Sequence, residues 1–371
     1  RIRIYLHNIN MKYYESSFDE YVQSVEKYNM HPELFDTFSK FPNNVYQLEN
    51  LILYGPSGVG KYSQMLAILK KYSHSGLKYD KRITVATDKQ EYIYRISDIH
   101  YEIDMALLGC NSKTLWHEVF FQIIDIVSVK PEKVGIIVCK NFHQIHTELL
   151  DIFYSYIQQY NHSQTNIIIK FVILTEQVSF IPASIINSCH LIHMRRPNKE
   201  AYNMIIQVKT ETQAETNFIQ RISQHGITSG AKPRIIKELS DINTENILNM
   251  KEINQFDLFQ TYERNQPIPE DIFDIVCNQL INDICTIDKS KFIDLREGLY
   301  NILTYNLDVP ECIWYIITHF INTGDLTGNS LSQTLERMYT FLKYYNNNYR
   351  PIYHLESIVF YIITKIYKLD E

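Results

Sequence analysis

The stretch LILYGPSGVGKYSQML, residues 51–66, decides how the rest of this chain is read. Its first residues form a short apolar run suited to a buried strand, and QMLAILKKY carries a helical pattern with Met65, Leu66, Leu69 and Tyr72 on one face. Between them, Gly55, Pro56, Ser57, Gly58, Val59, Gly60 and Lys61 match the G-x-x-x-x-G-K pattern of a phosphate-binding loop. Glycines let backbone N–H groups turn inward and approach phosphate oxygens, and the following helix presents unpaired N–H groups and a positive dipole end. Lys61 is then placed to reach the outer phosphates. A plain Gly-rich turn would not explain a lysine in register with both end glycines.

The next position departs from the pattern. A small hydroxyl normally follows the lysine and coordinates Mg2+, but here Tyr62 stands there and the hydroxyl comes one residue late, at Ser63. One residue rotates a helix position by about 100°, which aims Ser63 away from the ligand direction. Loops of this type that hydrolyse nucleotide also carry an acid at the end of a later strand. The best candidate strand, VGIIVCK, ends in Lys140 and Asn141, with no carboxylate. Asp104 and Glu176 are the alternative strand-end acids. Nucleotide binding is expected; the two losses argue against Mg2+-dependent hydrolysis.

Working outward, apolar runs alternate with helical patterns from residue 51 to 197. LILYG, KRITVAT, YRISDIHYEIDM, VGIIVCK, IIIKFVILTE and HLIHMRR read as strands, while LWHEVFFQIIDIV and TELLDIFYSYIQQY read as helices. That alternation predicts a parallel sheet with helices on both sides. Residues 1–50 form a divergent arm containing the amphipathic piece SFDEYVQSVEKY. From residue 198 onward the pattern is helical. Ile313, Ile316, Ile317 and Phe320 form one stripe; Leu355, Ile358, Val359, Ile362 and Ile366 form another. Such stripes mark core or subunit contact.

The chain has 371 residues, 45% of them hydrophobic and 21% charged, with a formal charge of −6. This is a globular composition with room for two or three domains. The charge excludes a self-sufficient basic nucleic-acid binder, though not a subunit that supplies part of a DNA surface. The 28 tyrosines and abundant Ile, Asn and Lys fit an AT-rich coding bias and are discounted as functional signals. The six cysteines show no metal or redox spacing and read as buried, reduced thiols of an intracellular protein. No secretory signal is read at the start, and the most apolar runs are too short and too charged to span a bilayer. His143 and His146 could share a helix face, but nothing completes a metal site. Residues 70–82 are the most basic stretch and need no role beyond a solvated face.

Three stretches carry a resemblance: LILYGPSGVGKYSQ, FVILTEQVSFIPASIINSCHLIHMRRP, and YYNNNYRPIYHLESIVFYI with its run Ile352, Tyr353, His354, Leu355 and Glu356. The chain resembles the small subunits of replication factor C, the sliding-clamp loader of eukaryotes, archaea and large DNA viruses. Within that family it is most similar to the small subunit with a degenerate ATPase site. LYNILTYNLDVPECIW also fits a helix pair of the family's collar; the first 50 residues match poorly and lack the usual opening motif. The divergence and composition suit a large DNA virus.

The resemblance implies an α/β P-loop (AAA+) parallel-sheet domain over 51–197, a small helical lid over 198–262 and an all-α collar over 263–371. It implies ATP or ADP as ligand and assembly with other clamp-loader subunits into a hetero-oligomeric pentamer. It further implies action on a sliding clamp and on primer–template DNA through the complex, with no membrane involved. The expected place is the nucleus or a viral replication factory. Departures from the family pattern are Gln177 for the sensor asparagine and Ser188 for the arginine finger of the Ser-Arg-Cys motif. Arg234 aligns with the lid residue that senses phosphates, or is a solvated arginine at a helix start. Tyr353 and His354 are expected to pack in the collar. Two other readings stay open: an active ATPase using Ser63 or water on the metal, and a P-loop small-molecule kinase, which has no use for so long a helical half.

Overall fold

The computed structural model describes residues 17–86, 91–160, 166–198, 200–201, 204, 272–286, 292–345 and 350–369. They belong to two compact units, one built on a sheet and one on C-terminal helices. The expected lid, residues 198–262, lies almost wholly outside the described residues, as does Arg234.

In the first unit, helix α1 (Phe18–Lys27) begins at Ser17, whose hydroxyl accepts from the Glu20 N–H. Strand β1 (Asn50–Tyr54) runs into the phosphate loop, and α2 (Lys61–Lys70) follows it. Then come β2 (Lys81–Ala86), β3 (Glu91–Ile96), β4 (His100–Asp104), α3 (Ser112–Val129), β5 (Val134–Lys140), α4 (Thr147–Tyr160), β6 (Ile168–Thr175) and β7 (Cys189–His193). The sheet order is β2-β3-β4-β5-β6-β1-β7.

Strands β4, β5, β6, β1 and β7 pair in parallel, as the strand–helix alternation predicts. Strands β2 and β3 add antiparallel, making the sheet mixed. The cause is loop length. Only residues 97–99 separate β3 from β4, whereas a parallel connection needs a crossover of about a dozen residues or more. The run YRISDIHYEIDM is accordingly two strands turning at Ser97, whose N–H donates to the His100 carbonyl at 2.8 Å.

Strand β5 is buried on both faces, and its alternation sorts the core. Val134, Ile136 and Val138 cluster with Leu51 and Leu53 of β1, Met65, Leu66 and Leu69 of α2, and Phe18 and Val22 of α1. On the opposite face, Trp116 and Phe120 of α3 and Phe153 of α4 form an aromatic layer over Phe171 of β6, with Phe120 and Phe171 stacked 6.4 Å apart. Gly135 opens toward this second face, where a Cβ would meet Val127 Cγ2 at 2.8 Å and the Tyr101 ring at 3.2 Å.

The second unit contains α5 (Ile272–Cys285), α6 (Phe292–Thr304), α7 (Val309–Thr323), α8 (Gly328–Tyr345) and α9 (Pro351–Ile366). Asp308 caps α7 by accepting from the Glu311 N–H, and Gly324 ends it in the left-handed conformation with φ 86°. Both predicted stripes are core. Ile313, Ile316, Ile317 and Phe320 pack with Leu355, Ile358, Val359 and Ile362, and Ile366 lies partly buried at the edge. Within the run 352–356, Ile352 and Leu355 are buried and Glu356 pairs with Arg296 of α6 at 2.7 Å. Tyr353 departs from expectation: it is 51% exposed, because it lies off the buried stripe. Cys139, Cys277 and Cys312 are buried thiols as expected, but Cys285, at the end of α5, is exposed. No helix among the described residues is long and apolar enough to cross a membrane.

Replacing Gly135 by alanine is expected to destabilise the chain by about 1–3 kcal/mol, because Val127 and Tyr101 are stiff and enclosed and cannot both give way. Denaturant unfolding should show a lowered midpoint with an unchanged slope.

Candidate functional site

The loop folds as the glycine spacing predicts. The Met194 N–H donates to the Tyr54 carbonyl at 2.8 Å, carrying the neighbouring chain past the end of β1. A Cβ at Gly55 would drive into the Met194 carbonyl oxygen, so only glycine fits that crossing. Gly58 and Gly60 take positive φ, 71° and 91°, and Gly60 caps the start of α2. Lys61, at the first position of α2, donates from Nζ to the carbonyls of Gly55 and Pro56 at 2.7 and 2.6 Å. The ammonium thus lies across the loop that it closes. A helix N-terminus, a turn of left-handed glycines and this lysine together make an anion cradle.

The arm before the loop braces it through contacts that no local pattern signals. His31 is 1% exposed, and its Nε2 donates to the Val59 carbonyl at 2.7 Å. The Asn29 side-chain oxygen accepts from the His31 N–H and from Gln64 Nε2 of α2, at 2.9 and 2.7 Å. Glu33 completes the brace by accepting from Arg195 Nε at 3.2 Å. A segment whose sequence resembles nothing obvious therefore fixes the loop from behind.

Tyr62 does not face the cradle. Its phenol donates to Glu102 Oε1 at 2.7 Å, and its ring meets Tyr21 of α1 edge-on at 4.9 Å. Glu102 is a middle residue of β4, 2% exposed, which sequence reading passed over in favour of the strand-end acids. Lys140, at the end of β5, donates to its other oxygen, Oε2, at 3.2 Å, and the same ammonium lies 5.5 Å from the centre of the Tyr62 ring. The two positions at which the metal machinery was expected are thus joined through one buried carboxylate.

Hydrogen bonding fixes the polarity around Glu102. The Ser97 hydroxyl oxygen accepts from the N–H groups of Ile99 and His100, which leaves its proton for His100 Nδ1 at 2.5 Å. Nε2 then carries the ring proton and points it at Glu102 Oε1, 3.4 Å away. Burial alone would raise the Glu102 pKa. His100, Lys140 and Tyr62 outweigh it and bring the carboxyl to about 2. The Tyr62 phenol is pushed the other way, far above its ordinary value, by burial and by the adjacent carboxylate.

The strand-end acids are occupied elsewhere. Asp104 accepts from Asn141 Nδ2 at 3.0 and 3.1 Å, and Oδ1 also caps the Ala106 N–H. Glu176 lies 3.6 Å from His143 Nε2, so that histidine faces a carboxylate; the shared helix face for His143 and His146 does not form, since the helical turn spans only Phe142–Gln144. Ser188 donates to the Ile185 carbonyl at 2.8 Å and lines a polar cavity of about 340 Å³ with Glu49, Asn50, Lys170 and Cys189. Among the described residues no cluster of His, Cys, Asp and Glu could hold a metal ion. The donor set around Lys61 does not fit Mg2+: the expected small hydroxyl is a phenol turned to Glu102, and the expected acid is an ammonium.

No known protein-family profile matches the chain. Its sequence is 20% identical over 355 residues to replication factor C subunit 5 of Saccharomyces cerevisiae, covering 91% of this chain and 95% of the yeast protein. Among solved structures, the RuvB Holliday junction branch migration motor of Thermotoga maritima aligns with TM-score 0.41 and 13% identity, over 87% of this chain and 97% of RuvB. The replication initiator DnaA, bound to AMPPCP and single-stranded DNA, aligns with TM-score 0.39 and 10% identity, over 88% and 95% of the two chains.

Glu102→Gln is expected to cost about 3 kcal/mol, since it leaves His100, Lys140 and Tyr62 facing a neutral group. The sign of the pH dependence follows from a carboxyl held at about 2 against an ordinary 4.5. The stabilisation is complete above about pH 5 and is lost as pH falls toward 2. Thermal unfolding from pH 7 to 3 should show a steeper loss of Tm in the wild type than in Glu102→Gln, with the two curves converging at the acid end.

Proposed function

We propose that this chain is a subunit of a sliding-clamp loader of the replication factor C type, which binds adenine nucleotide as ATP or ADP and does not hydrolyse it. The observation that carries the reading is a phosphate loop kept whole beside a metal site rebuilt from Tyr62, Glu102 and Lys140. The full-length relation to the yeast subunit supports the assignment to DNA replication.

In this reading the loop 55–61 holds the phosphates through backbone N–H groups and Lys61, while residues 198–262 close over the nucleotide as a lid and contribute Arg234. Residues 263–371 act as a collar that joins related subunits into a pentameric ring. Hydrolysis belongs to partner subunits, and nucleotide held here stiffens a subunit contact. With Ser188 in place of an arginine, the chain does not complete a neighbour's active site through that motif. The ring acts on a sliding clamp and primer–template DNA at the site of replication, in a nucleus or a viral factory. A chain of formal charge −6 suits a subunit that shares its DNA contacts.

Native co-purification should recover related P-loop subunits and a clamp, with adenine nucleotide bound. Recovery of the chain alone would overturn the assignment. Lys61→Ala should weaken nucleotide binding by at least about tenfold without changing ATP turnover, which should sit at background in both proteins. Turnover abolished by that substitution would instead establish an active ATPase.

A further inference from the structure

Tyr62 and Lys140 each look like a loss when taken singly; together with Glu102 they form a built device. Glu102 offers two oxygens, and both are engaged: Oε1 by the Tyr62 phenol at 2.7 Å and by His100 at 3.4 Å, Oε2 by Lys140 at 3.2 Å. Both oxygens are engaged and the side chain is wholly buried, so this carboxylate is closed to a metal arriving from solvent. Asp104 is likewise bound by Asn141, and Glu176 lies against His143. A dication arriving from solvent would meet the Lys140 ammonium before the buried carboxylate that pairs with it.

The pair is neutral as a whole, but its exposed member is the ammonium: the Glu102 side chain is wholly buried and that of Lys140 is not. A carboxylate left unpaired in this interior would be costly. The Lys140 ammonium offsets that cost while its side chain stays 28% exposed at the carboxyl end of β5. That edge of a parallel sheet is where ligands of open α/β folds bind. Lys61 provides a second ammonium at the loop itself. The Tyr62 ring touches both Tyr21 and the Lys140 ammonium, which ties the ammonium to α2.

We propose that the Lys140 ammonium, set by Glu102 and Tyr62, replaces the divalent cation at this loop, so that adenine nucleotide binds here without Mg2+. The inference rests on the reading of the chain as a nucleotide-binding subunit. Lys140 is a binding residue in this scheme, Glu102 and Tyr62 are positioning residues, and no chemical step is involved. The consequence is a site that holds its nucleotide through changes in free Mg2+ and cannot hydrolyse it by metal-assisted attack.

The test is titration of the full chain with fluorescent ADP and ATP analogues, in Mg2+ and in excess EDTA. The affinities are expected to agree within about threefold, whereas a tenfold or greater weakening in EDTA, about 1.4 kcal/mol, would overturn the proposal. Lys140→Met should lose about tenfold or more in affinity and Lys140→Arg should keep it within about threefold, with thermal unfolding confirming that each variant is folded. Unchanged binding by a folded Lys140→Met protein would make the lysine only a structural partner of Glu102 and would also overturn it. If Lys140→Met fails to fold, the wild-type comparison in EDTA still decides. Absence of binding in both buffers would remove the nucleotide-binding reading itself, and this inference with it; binding that requires Mg2+ removes the inference alone.

Discussion

A carboxylate enclosed in a sheet must be neutralised, and the geometry around Glu102 follows from that requirement. Four elements meet there: β4 supplies Glu102 and His100, β5 supplies Lys140, α2 supplies Tyr62, and the turn at Ser97 orients the imidazole. Each partner presents a proton to an oxygen. Removing any one of them would leave part of the charge uncompensated in a low-dielectric setting, where such groups are expensive. The cluster thereby ties the start of the phosphate-loop helix to the two strands whose ends border the site.

This coupling changes how the departures from a hydrolytic loop are understood. A tyrosine after the lysine and a lysine at the strand end appear as separate decay events in the linear chain. In the fold, they contact the two oxygens of the same side chain. A small hydroxyl at position 62 could not reach Glu102, and an acid at position 140 would face that carboxylate with like charge. The pair is therefore consistent only as a pair, which distinguishes replacement from erosion.

The loop depends on support from outside itself as well. Gly55 is compelled by the Met194 carbonyl that crosses it, and Val59 is held by His31 from the arm. These contacts brace the backbone that carries the loop N–H groups, the kind of preorganisation that phosphate binding needs. The helical unit is simpler: capped helices with apolar stripes at helical spacing bury those stripes against one another.

Sequence alone determined the strand–loop–helix at 51–66, the alternating elements around it, the helical character of the described C-terminal residues from 272 onward and the buried stripes there. All of these are set by periodicity and by turn chemistry within a few residues. It also located the two anomalous positions, because a loop motif has fixed spacing. The sequence did not disclose Glu102, which lies in mid-strand in a run of alternating residues with no motif around it. Nor did it disclose the brace from Asn29 and His31. Those roles arise from pairings across 40 residues between Tyr62 and Glu102 and 28 between His31 and Val59. Such long-range contacts are fixed by strand order and helix packing, which local pattern does not encode, so only the tertiary structure could decide that two apparent losses are one electrostatic assembly.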